Sequence, residues 1–203
     1  MTEMHDTSQT LIVTARRLFA RHGYDGTSVR AIARSARANL GAITYHFGSK
    51  AALYEAALTS LTDPLRERLA EVAASPGPPL RRIDRVVAAF FQHLDQHPDL
   101  ARLIARQMAA GRRVPVVVRR TLEANHRVIA GLIAEGQRDG TIRKGDPRLM
   151  ALSIGSQPVM LTLMRNVFRQ AIALDQDDPA TRARLVRSVT QFIRAGLAAG
   201  GAS

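Results

Sequence analysis

The chain has 203 residues, no cysteine and a formal net charge of +12, with 29 Arg and Lys against 17 Asp and Glu. Without cysteine, disulfides, thiolate metal sites and cysteine nucleophiles are excluded, which suits a reducing compartment. No run approaches the about 18 apolar residues of a membrane span, and the acidic N-terminus lacks the basic start of a signal peptide, so a cytoplasmic protein away from membranes is expected.

The positive charge favours a polyanionic partner such as nucleic acid. It is spread along the chain, however. Residues 1–50 hold seven basic against three acidic residues, the remainder holds 22 against 14, and 27 of the 29 basic residues are arginine. Charge alone therefore leaves the partner open.

In chain order, nearly every segment has helical spacing and none alternates as a strand does. Leu11, Ile12, Ala15, Leu18 and Phe19 put an apolar stripe on a first helix that ends at "HGYDG". Thr27 or Ser28 is placed to cap a short second helix whose inner face is Val29, Ile32, Ala33 and Ala36. After "RAN" a third short helix follows, with Leu40, Ile43 and Phe47 in phase. Ser49 is placed to cap a longer fourth helix, which Asp63-Pro64 is expected to kink or interrupt.

"SPGPP" at 75–79 reads as a loop. A fifth helix carries Ile83, Val86, Val87, Phe90, Phe91 and Leu94, "HPDL" opens a sixth, and a seventh spans roughly 116–138. An eighth starts at Asp146 or Pro147, is expected to reach about residue 173 and to kink near Pro158. "DQDDP" opens a last helix with Leu185, Val186, Val189, Phe192, Ile193 and Leu197 on one face. The expectation is an all-α fold of about nine helices.

Residues 28–47 form the pattern short helix, turn, short helix. That pattern is a helix-turn-helix, which lays its second helix in the major groove of DNA. It accounts for the odd residues of "NLGAITYHFGSK" at 39–50. Asn39 caps the recognition helix and can donate to a phosphate or base. Gly41 lets the backbone approach the DNA with no side chain between. Thr44, Tyr45 and His46 carry donors for phosphate oxygens. Lys50, with the N–H groups of the next helix, offers a further phosphate site. A helical hairpin in an ordinary bundle explains the spacing but not "TYHFGSK".

Here the chain resembles a family. "LFARHGYDGTSV", "IA", "GAITYHFGSK" and "LY" within residues 11–54 are similar, in order and spacing, to the DNA-binding domain of the tetracycline-repressor (TetR) family. The resemblance implies a DNA-binding domain at 5–64 and an effector-binding and dimerisation domain at 65–199. It implies a homodimer joined through the last two long helices and acting as a ligand-responsive repressor on double-stranded DNA. It also implies base contacts near Leu40, Gly41 and Thr44, and phosphate contacts near Thr27, Ser28, Tyr45, His46 and Lys50. One position departs: Arg37 stands in the turn where the family usually has glycine. Either the turn is reshaped within ordinary φ/ψ, or Arg37 adds a phosphate contact.

Other residues carry weaker signals. His93 and His97 are four apart, as metal ligands on a helix are, but lack an evident third ligand. A polar helix end or the wall of a ligand cavity is expected there, and neither metal nor cofactor. Gln107, Asn125 and Gln157 sit in apolar stripes, either as amides bonded within the core or dimer interface, or as groups orienting an effector in a mostly apolar pocket. Phe90, Met108 and Met164 are further candidates for its lining, with methionine more often plain core filler. Leu163, Val167, Val189 and Phe192 are candidates for a subunit interface, and a self-complementary dimer calls for a palindromic operator. No nucleophile elbow, phosphate-cradling loop or metal set suggests an enzyme. The competing reading is a DNA-binding architectural or partner-recruiting protein with no effector.

Overall fold

The computed structural model describes the backbone of residues 2–109 and 114–200, and side chains over 7–106, at 109 and over 114–200. Among the described residues the chain is all-α, with ten helices: α1 (Thr2–His22), α2 (Val29–Ser35), α3 (Leu40–Phe47), α4 (Lys50–Ala74), α5 (Pro79–Gln96), α6 (Pro98–Ala109), α7 (Val116–Arg138), α8 (Pro147–Leu163), α9 (Arg165–Ile172) and α10 (Pro179–Leu197).

They gather into two compact units, Met1–Pro64 with His97–Arg120, and Leu65–Gln96 with Thr121–Ser203. The first unit packs α2, α3 and α6 against α1 around Leu11, Ala15, Phe19, Ile32, Ile43, Leu53, Leu100 and Leu103, all buried. The second packs α5 against α8 and α10, and its core runs from Leu69 through Val86, Val87 and Phe91 to Ile133, Ile154 and Ile193. An antiparallel bridge between Ile142 and Ala198 ties the turn after α7 to the end of α10. Gly136 permits it, because a Cβ there would lie 2.5 Å from Cδ1 of Ile142.

Two expectations change. Pro64 does not interrupt the fourth helix, which runs through it from Lys50 to Ala74. The proline removes one N–H from the ladder, and the turns on either side hold the helix together. The eighth helix, in turn, does not reach 173. It passes through Pro158 and breaks at Met164, where φ −89° and ψ 8° leave the helical range.

The break has a partner elsewhere in the chain. The carbonyl of Leu161, which an unbroken helix would offer to the N–H of Arg165, accepts Nε2 of Gln176 at 3.0 Å. Gln176 is held in turn by Arg182, whose Nη1 donates to Oε1 of Gln176 at 2.8 Å. Arg182 is only 9% exposed. It also donates from Nε to Oδ2 of Asp95 at 2.8 Å and lies over the ring of Phe91, 4.9 Å from its centroid. Arg165, first in α9, reaches Oδ1 of Asp95 at 3.2 Å and Oδ1 of Asp177 at 3.1 Å. A long helix is thus exchanged for a buried guanidinium joining α5 and α10 and, through Gln176, α8, with α9 tied in by Arg165 on the same Asp95.

Replacing that guanidinium by an apolar chain of similar length leaves Gln176 and a main-chain carbonyl short of partners. Arg182→Met is expected to cost about 2–3 kcal/mol, read as a lower urea midpoint at fixed protein concentration, while Arg184→Met on the exposed side of α10 changes it little.

Candidate nucleic-acid interface

The first three helices are set by local chemistry at their ends. Ser28, not Thr27, caps α2: its Oγ accepts the N–H of Ala31 at 3.1 Å. Thr27 is 2% exposed and donates its hydroxyl to the carbonyl of Gly23 at 2.7 Å, tying the end of α1 to the start of α2. In this conformation that hydroxyl faces the protein interior and is not offered to a phosphate. Asn39 caps α3, its Oδ1 accepting the N–H of Gly41 at 2.8 Å.

The turn between α2 and α3 is a Schellman motif. The N–H of Ala38 bonds to the carbonyl of Ala33 at 2.9 Å and that of Arg37 to the carbonyl of Arg34 at 3.2 Å. This pattern places a left-handed residue between them, and Arg37 has φ 54°. The first alternative for Arg37, a turn reshaped within ordinary φ/ψ, is therefore incorrect. The left-handed turn is retained and an arginine occupies it, because two main-chain hydrogen bonds satisfy the end of α2 only in that geometry.

Helix α3 buries Ile43 and half-buries Phe47 and His46, while Leu40, Gly41, Thr44 and Tyr45 are exposed. Tyr45 is 72% exposed, with its ring edge-on to that of His46 at 5.0 Å. A tyrosine so placed contributes little to the fold. Gly41 is similar: a Cβ there would meet only Oδ1 of Asn39, at an ordinary 3.4 Å. Nothing within the first unit requires glycine at 41.

The surroundings are cationic. Residues 27–50 contain Arg30, Arg34, Arg37 and Lys50 and no Asp or Glu. Arg30, Arg34 and Arg37 are exposed, and none makes an ion pair among the described residues. Arg30 and Arg34 were not singled out by motif reasoning, although the 24-residue stretch without acids was visible in the sequence.

Lys50 opens α4 behind the capping Ser49, whose Oγ accepts the N–H of Ala52 at 3.1 Å. Its Nζ lies 4.3 Å from the centroid of the Tyr24 ring. Tyr24 belongs to a cluster with Phe19 and Tyr54, with centroids 4.8–5.9 Å apart. From α6, Arg106 donates through Nε to the carbonyl of Ala20 at 2.9 Å and through Nη2 to that of Arg21 at 2.6 Å, satisfying the end of α1. Sequence reasoning missed this clamp, since the partners lie 85 residues apart or more and no motif marks them.

The remaining candidates are dispersed. Phe90, His93 and Asn125 are buried in the second unit, and His97 belongs to the first. Burial and the neighbouring Arg16 hold the His97 imidazole below its ordinary pKa, with Asp99 opposing. Among the described residues no three His, Asp or Glu are grouped as metal ligands. Gln157 is half-buried and lines a groove of about 250 Å³ with Phe192, Ile193 and Met150, apart from Phe90 and His93. Met164 is the half-buried break residue, and the side chains of Gln107 and Met108 lie outside the described residues. Of the interface candidates, Phe192 is 72% exposed, Val167 is exposed and Leu163 half-buried, whereas Val189 is 8% exposed within the core.

Two stability effects follow from the backbone. Arg37→Gly removes a left-handed cost of roughly 1–2 kcal/mol and adds about 0.5–1 kcal/mol of unfolded-chain entropy, for a net gain of about 0.5–1 kcal/mol. Gly41→Ala gains up to about 1 kcal/mol of helix propensity. Both variants are expected to melt at or above the wild-type temperature by circular dichroism, and a clear decrease in either contradicts the geometry described.

The comparisons agree with this geometry. Residues 11–57 match the family model described as bacterial regulatory proteins, tetR family, and residues 79–193 match tetracyclin repressor-like, C-terminal domain. The HTH-type transcriptional repressor AcnR of Corynebacterium diphtheriae is 34% identical over 49% of this chain, which spans 48% of that protein's length. The HTH-type transcriptional regulator UidR of Escherichia coli is 28% identical over 71% of each chain. Among solved structures, a bacterial regulatory protein in the tetR family from Rhodococcus RHA1 superposes with a TM-score of 0.77 at 16% identity, over 96% of this chain and 98% of the other. FadR from Bacillus subtilis, in complex with stearoyl-CoA, does so with 0.74 at 20% identity, over 93% and 98%. With both halves of the chain matched by its models, the protein belongs to the tetR family of bacterial DNA-binding transcriptional regulators.

Proposed function

We propose that the protein is a homodimeric repressor that holds a palindromic operator through α3 and releases it when a small, mostly apolar molecule binds the second unit. The observation that carries the DNA-binding half is the exposed face of α3, where Gly41 and Tyr45 serve no purpose within the fold and no carboxylate lies between residues 27 and 50. Leu40, Gly41 and Thr44 face the bases. Ser28, Arg37, Tyr45, His46 and Lys50, with the NH₂ of Asn39, hold phosphates. Arg30 and Arg34 extend that set. With few hydrogen-bonding groups on the base-facing side, specificity leans on methyl contacts and DNA shape.

The second unit supports the remaining features. Met160, Val167, Ile172 and Phe192 expose large apolar side chains on α8, α9 and α10, a surface suited to a second copy. Oδ1 of Asn125 and Oγ1 of Thr162 are buried without a hydrogen-bond partner among the described residues. Such orphaned atoms are costly and call for a ligand or water. That FadR, of the same fold, has been seen with stearoyl-CoA supports an effector in this unit. Binding there would favour a spacing of recognition helices that no longer fits adjacent grooves.

Selection of bound sites from a random duplex pool tests the reading. Wild type is expected to enrich a palindrome with half-sites about one helical turn apart, and Tyr45→Ala and Gly41→Ala to lose the enrichment while remaining folded. Salt-sensitive binding without a consensus would instead favour the architectural role. On the selected duplex, Arg37→Gly is expected to reduce the salt slope by about 1, and an unchanged slope removes Arg37 from the phosphate contacts.

A further inference from the structure

The second unit carries a cationic groove that shares no lining residue with the set proposed for DNA or for the dimer. It has a volume of about 450 Å³ and lies between α5 and α10, lined by Arg81, Asp84, Arg85 and Ala88 on one side and Val186, Arg187, Thr190, Gln191 and Arg194 on the other. Four arginines therefore face one carboxylate, and that carboxylate is already occupied, since Asp84 pairs with Arg194. Among the described residues Arg85 donates only to the carbonyl of Pro76, at 3.2 Å. Arg81 and Arg187, one on each wall, have no hydrogen-bond or ion-pair partner among the described residues.

Among the described residues Arg194 and Arg85 make contacts that serve the fold, whereas Arg81 and Arg187 make none. Arg81 and Arg85 stand one turn apart on the same face of α5, a like-charge spacing that weakens a helix. The hydroxyl of Thr190 is turned to its own helix, bonding the carbonyl of Val186 at 2.8 Å, so the groove supplies guanidinium groups over a small apolar floor of Ala88 and Val186. Guanidinium forks match phosphate and carboxylate oxygens two at a time. The groove is shallow and open to solvent, so an occupant would be held chiefly through its charged groups. A second copy of the chain is a poor occupant, because a two-fold axis at the groove would bring the same arginines together.

We propose that this groove binds a compact small-molecule polyanion, bearing phosphate or carboxylate groups, gripped between Arg81 and Arg85 of α5 and Arg187 of α10. Its lining includes neither Asn125 nor Thr162, whose orphaned atoms support the apolar effector, nor any residue of the DNA-contact set.

Isothermal titration calorimetry of the full chain with inorganic pyrophosphate and with tricarballylate at constant low ionic strength tests this, and the probe that binds assigns phosphate or carboxylate chemistry. Saturable binding of one probe per chain is expected, weakened about tenfold or more in Arg81→Gln/Arg187→Gln, about 1.4 kcal/mol by the affinity relation, and retained in Lys50→Gln. Both substituted arginines are partnerless, so the melting temperature of the double variant should stay at the wild-type value. Absence of saturable binding by either probe overturns the proposal. So does equal affinity in the double variant, or loss in Lys50→Gln, which would place the anion on the DNA face. Binding only of acidic peptides or duplex DNA at these arginines would overturn it in favour of a macromolecular partner.

Discussion

The left-handed residue at position 37 is the constraint on which the exposed face of α3 depends. Two main-chain hydrogen bonds close the end of α2 only if the chain reverses its hand there, and that reversal sets where α3 begins. Asn39 then caps the new helix two residues later, Ile43 anchors its inner face, and Gly41, Thr44 and Tyr45 are left outside. A glycine would satisfy the turn at lower cost. An arginine in this position keeps the geometry and places a guanidinium at the edge of the recognition helix, an exchange of local stability for charge.

Around that turn the first unit is braced by polar ties as well as by its core. Thr27 binds the end of α1 to the start of α2, Arg106 satisfies the last carbonyls of α1 from a helix far away in sequence, and Lys50 rests on the aromatic cluster of Phe19, Tyr24 and Tyr54. Helix α6 therefore belongs physically with the DNA-binding helices, although it lies between two stretches of the other unit. The chain crosses between units within α4, after α5 and within α7, so three covalent connections join the second unit to the first.

Much of this was legible in the sequence. The helical periodicity located nearly every element, because each amphipathic stripe faces a core that its own segment cannot supply. The Asp-Pro pairs at 146–147 and 178–179 marked helix starts correctly, since an aspartate cap and a proline at the first helical position act locally. What failed was non-local. Breaking α8 at Met164 depends on Gln176 and Arg182, whose partners on α5 and α8 no window of sequence contains. At Pro64 the interruption did not occur, because a single missing hydrogen bond is tolerated in a helix anchored on both sides. The motif around 39–50 marked out α3 but passed over the exposed Arg30 and Arg34, which stand out in a stretch of 27–50 without carboxylates.

The central claim is that α3 reads DNA through a backbone that Gly41 leaves uncovered. A crystal structure of the protein on its selected duplex measures this directly. The account predicts α3 in the major groove, base edges in van der Waals contact with the main chain at Gly41, and phosphates bonded by Tyr45 and Lys50. A complex in which α3 lies outside the groove, with the duplex held by other arginines of the chain, would contradict it.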